Sequence, residues 1–70
     1  MNTKIRELRN RQGLSQKMLA ARCGSDREWL SRIESGRHVP TLPTLQRVAS
    51  ALGVPLVDLL PSEFHRFLKV

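Results

Sequence analysis

The sequence predicts an all-α fold: a compact bundle of five helices, with a helix-turn-helix formed by the second and third. Three observations predict it. Apolar residues recur at three- and four-residue spacing between glycine and proline stops, and strand-like alternation is absent at useful length. Tyrosine is missing and aromatics make up only 4% of the chain, which does not suit a sheet with paired aromatic faces. Only residues 24–26 separate the second and third helical patterns, which forces an angled pair of short helices.

Seventy residues make one domain with a small core. Residues 1–70 are expected to form one unit, with a core over 3–60 and a tail over 61–70. Apolar content of 40% is ordinary for a globular chain. The formal net charge of +6 favours anionic partners, nucleic acid before membrane surfaces. Cys23 is the only cysteine, so no internal disulfide can form. No apolar run is long enough to span a membrane, and polar Asn2, Thr3 and Lys4 follow Met1 where a signal peptide would turn apolar. A cytoplasmic location without membrane partners is the expectation.

The first helix is "TKIRELRNRQG", with Thr3 or Asn2 as its cap. Ile5 and Leu8 share one face, Leu14 clasps its end, and Gly13 serves as a left-handed stop. The second, "SQKMLAARCG", is capped by Ser15 and ended by Gly24. Leu19 and Cys23 form its buried line, Ala20 allows close approach of another helix, and Met18 is assigned to packing. "DREWLSRIE" is the third helix. Asp26 caps it, because its carboxylate accepts from free N–H groups at the positive end of the helix dipole. At 100° per residue, Leu30 and Ile33 point one way, while Arg27, Glu28, Ser31 and Arg32 point the other.

"SGRHVPT" is irregular, since Pro40 opposes a helix there. The fourth helix, "LPTLQRVASALG", starts from Thr41 as cap. Pro43 sits in its first turn, and Leu45, Val48, Ala49 and Leu52 share one side. A fifth, very short helix, "VPLVDLL", enters through Pro55. Its Leu56, Leu59 and Leu60 close the core. The tail "SEFHRFLKV" has room for a short sixth helical turn capped by Ser62.

Together "GLSQKMLAARCG", "DREWLSRIESG" and "PTLPTLQRVASALGV" resemble the lambda-repressor-like DNA-binding domains. The nearest likeness is to the Cro/C1-type regulators, also called the xenobiotic-response-element type. The shared positions run from Ile5 to Leu60 and include Leu8-Arg9, Ser15-Gln16, Gly24, Glu34, Gly36, Pro40 and Gly53. Two positions depart from the pattern: Ser25 stands where an aliphatic residue commonly follows the turn glycine, and Pro55 replaces the usual Ser or Thr cap. The resemblance implies a dimer on a palindromic operator of double-stranded DNA, bound through the major groove.

It also implies roles for particular residues. Base readers fall at Arg27, Glu28 and Arg32. Arg27 and Arg32 can donate paired hydrogen bonds to guanine, Glu28 can accept from cytosine, and Ser31 can meet a base or a phosphate. The competing reading is an intrahelical Glu28–Arg32 ion pair, which is compatible with readout because it can pre-orient Arg32. Gln16, in the first turn of the second helix, is implied to grip a phosphate, against the plain alternative of a surface glutamine. Arg37, Thr41 and Thr44 are further phosphate candidates, with Lys17 and His38 behind them. Such contacts set register and salt dependence without reading sequence. The family pairs residues at the positions of Arg9 and Glu34 in a largely buried bridge, which implies a structural ion pair here.

Three readings stay open for Trp29: core edge, wall against the DNA backbone, or dimer contact. Phe64, Phe67 and Leu68 form an apolar stripe that either dimerises or folds back on the core, and Leu56 and Val57 are further dimer candidates. An enzyme is disfavoured, since there is no Gly-rich phosphate loop, zinc spacing or paired carboxylate set, and no cofactor or metal is expected. The serious competitor is a protein-interaction module, or a toxin-binding antitoxin, on the same fold. RNA polymerase or a toxin would be further partners. No small-molecule ligand is expected of a single small domain without a sensor module.

Overall fold

The computed structural model describes residues 4–60. Four α-helices are followed by one 3-10 turn: α1 (Ile5–Arg11), α2 (Gln16–Arg22), α3 (Arg27–Glu34), α4 (Leu42–Leu52), and the 3-10 turn Leu56–Leu59. The architecture is the all-α helix-turn-helix bundle, with one modification. The fifth element winds as a 3-10 turn rather than an α-helix, because Pro55 enters it extended and only four residues are available before Leu60 returns to extended backbone. Any sixth turn falls outside the described residues.

Side-chain caps set three of the helix starts. Ser15 Oγ accepts from the Met18 N–H at 3.0 Å, and Asp26 Oδ1 accepts from the Trp29 N–H at 2.8 Å. Thr41 Oγ1 accepts from the Thr44 N–H at 3.4 Å, and Pro43 sits in the first turn, where its missing N–H is harmless. α1 differs. Lys4 occupies the cap position and makes no side-chain cap bond, while Asn2 and Thr3 lie outside the described residues. That end is tied instead by the Lys4 N–H, which donates to the Leu59 carbonyl at 3.1 Å and so joins α1 to the 3-10 turn.

The turn between α2 and α3 is one residue longer than the spacing predicts, because α2 ends at Arg22 and Cys23 becomes its C-cap. Gly24 follows with φ +73°, a left-handed conformation that L side chains adopt at a cost. Here the Gly24 N–H donates to Ala21 and the Ser25 N–H to Ala20, at 3.0 and 2.9 Å. These bonds satisfy carbonyls that a helix end otherwise leaves open, in a Schellman arrangement. Four residues connect the two helices, and α2 and α3 pack against each other.

The core gathers one stripe from each element. Ile5, Leu14, Leu19, Ala20, Cys23, Leu30, Ile33, Leu45, Val48, Ala49, Leu52, Leu59 and Leu60 are buried together, and Leu8, Trp29 and Leu56 pack half-buried against them. α4 is the common support, contacting α1, α2 and the 3-10 turn. Met18 corrects its assignment to packing: it is 50% exposed, since only Leu19 and Ala20 of its turn face inward. Two side chains from elsewhere finish the C-terminal end of α4. Gln12 Nε2 donates to the Leu52 carbonyl at 2.7 Å and Arg22 Nη1 to the Ala51 carbonyl at 3.5 Å, putting donors on the negative end of the helix dipole.

Candidate nucleic-acid interface

α3 is divided along its length. Leu30 and Ile33 are buried, whereas Arg27, Glu28 and Arg32 are exposed and Ser31 is half-buried. The division follows from 3.6 residues per turn: two inward anchors three residues apart leave the positions between and before them outside. Short as it is, the helix is held at both ends, by the Asp26 cap and by Gly36, whose N–H donates to the Ile33 carbonyl at 3.2 Å. Its outward side chains therefore stand on a fixed base.

Arg32 Nη1 lies 3.9 Å from Glu28 Oε1, one turn away. Both groups are well exposed, so the pair is loose and screened, about 0.3–0.5 kcal/mol for this class of helix pair. Nothing in that contact prevents either group from turning to another partner. Arg27 points instead toward α2, where its Nη1 donates to Gln16 Oε1 at 3.4 Å.

Gln16 is half-buried and doubly engaged, because its Nε2 also donates to Glu34 Oε1 at 3.0 Å. Glu34 is the hub. Its side chain has no exposed surface, yet it also accepts from Arg9 Nε at 2.7 Å, from Arg9 Nη2 at 3.0 Å and from Arg6 Nε at 3.4 Å. Arg9 is 11% exposed in its side chain and spends its remaining donor Nη1 on the Leu14 carbonyl at 2.8 Å. Burial pushes the Glu34 carboxyl up, but the hydrogen bonds from Arg9, Gln16 and Arg6 and the Arg9 charge outweigh it, and its pKa settles below the ordinary value of 4.5. The carboxylate is thus ionised at neutral pH.

The remaining predicted positions are less constrained. Lys17, Arg37, His38 and Thr41 are exposed and Thr44 is half-buried. The backbone N–H groups of Arg37 and His38 both donate to the Arg32 carbonyl, at 3.0 and 3.1 Å, which folds the loop back against the end of α3. Thr41 and Thr44 hydroxyls are 3.0 Å apart at the start of α4. Val39 and Leu42 in the same region are exposed apolar side chains that the sequence reading did not single out. Trp29 sits half-buried at the edge of the core. Leu56 and Val57 are half-buried, and Phe64, Phe67 and Leu68 lie outside the described residues.

One participant and one contact were missed from sequence. Arg6 joins the Glu34 hub, and its position three residues before Arg9 on the same face of α1 was a usable signal. The Gln16–Arg27 contact carried no local signal, since eleven residues and a turn separate the two. Cys23 stays structural: burial raises its thiol pKa against the opposing Arg47 charge, so the inert thiol dominates at neutral pH. Among the described residues no group of three or more His, Cys, Asp or Glu is placed to hold a metal ion, and no helix is long and apolar enough to cross a membrane.

Comparison with known proteins agrees with this geometry. A family model described as Helix-turn-helix matches residues 5–59. The HTH-type transcriptional regulator y4dJ of Sinorhizobium fredii is 45% identical over 53 residues, 76% of this chain and 69% of that protein. Two solved structures superpose with a TM-score of 0.78. One is a hypothetical transcription factor, NHTF, from Neisseria, at 36% identity, covering 94% of this chain and 77% of that one. The other is the restriction-modification controller protein C.AhdI from Aeromonas hydrophila, at 35% identity, covering 81% and 83%.

Proposed function

Since this chain belongs to the helix-turn-helix family of Cro/C1-type transcriptional regulators, we propose that it is a repressor or autoregulator that binds a palindromic operator as a dimer, through the major groove. The family is one of DNA-binding regulators and not of enzymes. The observation that carries the reading is the division of α3: Leu30 and Ile33 anchor it, and Arg27, Glu28 and Arg32 are left outside to meet base edges. An arginine that meets guanine squarely offers two donors to O6 and N7, and Glu28 offers an acceptor to cytosine.

In this reading Lys17, Arg37, Thr41 and Thr44, with the Gln16 amide N–H that Glu34 does not use, hold phosphates on either side of the groove. The arrangement sets register and makes affinity fall with salt. Two copies pair through the region of Leu56 and Val57, with Phe64, Phe67 and Leu68 as further contacts. Twofold pairing places half-sites about one helical turn apart, roughly 34 Å. The likeness to a restriction-modification controller makes control of such a system a candidate role.

The test is selection of duplexes from a random pool, followed by the stoichiometry of the winning complex across a salt series. A palindromic winner bound by two chains, weakening as salt rises, is the expected result. Failure to bind any duplex in a salt-dependent way would turn the assignment toward a protein-interaction module or antitoxin.

A further inference from the structure

Four side chains from three helices form one unbroken line of hydrogen bonds. Arg9 of α1 donates twice to Glu34 of α3, Gln16 of α2 donates to Glu34 Oε1, and Arg27 at the start of α3 donates to Gln16 Oε1. We propose that Glu34 is a positioning residue for base readout: through Gln16 it aims Arg27, so that the pair holding α1 to α3 also sets the direction of a base-reading arginine. The inference rests on the DNA-binding reading above.

The polarity of the line explains how this works. An ionised carboxylate only accepts, and a guanidinium only donates. Glu34 therefore obliges the Gln16 amide to turn its NH2 inward, which leaves the amide oxygen facing Arg27. The opposite rotation would set two acceptors together at Glu34 and two donors together at Arg27. A buried carboxylate thus fixes the orientation of a half-buried amide, and the amide offers an acceptor to an exposed arginine.

The two ends of the line differ in freedom, and that difference is the device. Glu34 has no exposed side-chain surface and Arg9 almost none, so the inner end is rigid. Arg27 at the outer end is an exposed, rotamer-rich side chain. Ordering such a side chain opposes binding, and a tether in the free protein removes part of that cost. Arg32 is a built-in control. It also faces outward from α3, but among the described residues it pairs with exposed Glu28 at 3.9 Å, and it takes no part in the line.

The experiment begins from an operator selected by the full chain. Arg27→Ala and Arg32→Ala identify the base pair that each arginine reads, as the position where discrimination is lost. Gln16→Met and Glu34→Gln are then measured against the matched duplex and against duplexes changed at one of those two pairs. A ratio of affinities cancels any uniform loss from a missing phosphate contact. The expected result is a drop of about fivefold in discrimination at the Arg27 pair, part of the worth of a bidentate base contact, with the Arg32 pair unaffected. In the Arg27→Ala background, Gln16→Met should change neither ratio.

If Glu34→Gln does not fold, Glu34→Asp replaces it, keeping the charge but withdrawing the carboxylate by one methylene. Uniform weakening on every duplex, with both ratios intact, would overturn the inference and leave the DNA reading standing. A wild-type chain that selects no duplex would overturn both.

Discussion

Arg9 and Glu34 meet in a two-pronged ion pair that crosses from α1 to α3, with Nε to Oε2 at 2.7 Å and Nη2 to Oε1 at 3.0 Å. Both partners are withdrawn from water, so each depends on the other for its solvation. The pair also lies at the junction of the core with the outward face of α3, because Glu34 is the last residue of the helix whose start carries Arg27.

Removing one partner leaves a buried charge behind. Glu34→Ala should lower unfolding free energy by about 3–5 kcal/mol, a large share of the total for so small a domain. Arg9→Ala should fall at the lower end of that range, because Gln16 and Arg6 still donate to Glu34. The paired replacement Arg9→Met with Glu34→Leu should recover most of the loss, since apolar residues of similar volume need no partner. Urea unfolding of the four chains checks the set, and equal losses in the single and paired variants would contradict it.

Acid should weaken the fold through the same carboxyl. The Glu34 pKa in the folded chain lies below 4.5, while the unfolded chain has the ordinary value, so the unfolded state binds more protons as pH drops. The stabilisation is complete above about pH 4.5 and fades as pH falls toward and through the folded value. Thermal midpoints of the wild type should therefore decline across that acid range. Glu34→Gln, lower at neutral pH, should show a flatter profile there.

Base-reading and phosphate-holding residues should separate in binding data. Arg27→Ala or Arg32→Ala should cost about 1–3 kcal/mol on the selected operator and relax preference at one base pair. Arg37→Ala should weaken all duplexes alike and reduce the slope of log affinity against log salt by about 1. Titrations on selected and scrambled duplexes at several salt concentrations distinguish the two patterns.

The helix-turn-helix corner has its own sensitivity. Gly24→Ala should cost about 1–2 kcal/mol through left-handed backbone strain alone, since an added Cβ at φ +73° meets nothing within 4 Å. Asp26→Ala should cost about 1 kcal/mol by uncapping α3. The two sites lie in one turn, so the double variant is a direct test of whether their losses add. Denaturant midpoints of the two single variants and the double variant supply the measurement.

Much of the scaffold was written in local sequence. Ser15, Asp26 and Thr41 each cap the helix whose pattern follows them, and Leu19, Cys23, Leu30, Ile33, Leu45, Val48, Ala49 and Leu52 are buried as their spacing requires. Caps, glycine stops and apolar stripes operate within about four residues, so the order of residues alone determines them. The division of α3 into anchors and outward side chains belongs to the same class.

Beyond the local Glu28–Arg32 pair and the Arg9–Glu34 bridge that the family resemblance implied, only tertiary structure decided which polar groups meet. Gln12 reaches a carbonyl forty residues away, Gln16 bridges Glu34 and Arg27, Arg6 joins the same carboxylate, and Met18 faces outward although Leu19 and Ala20 after it are buried. These outcomes depend on how the helices cross, and the crossing is settled by the whole core packing at once. A side chain's period along its own helix says which way it points, but what it finds there is supplied by another part of the chain.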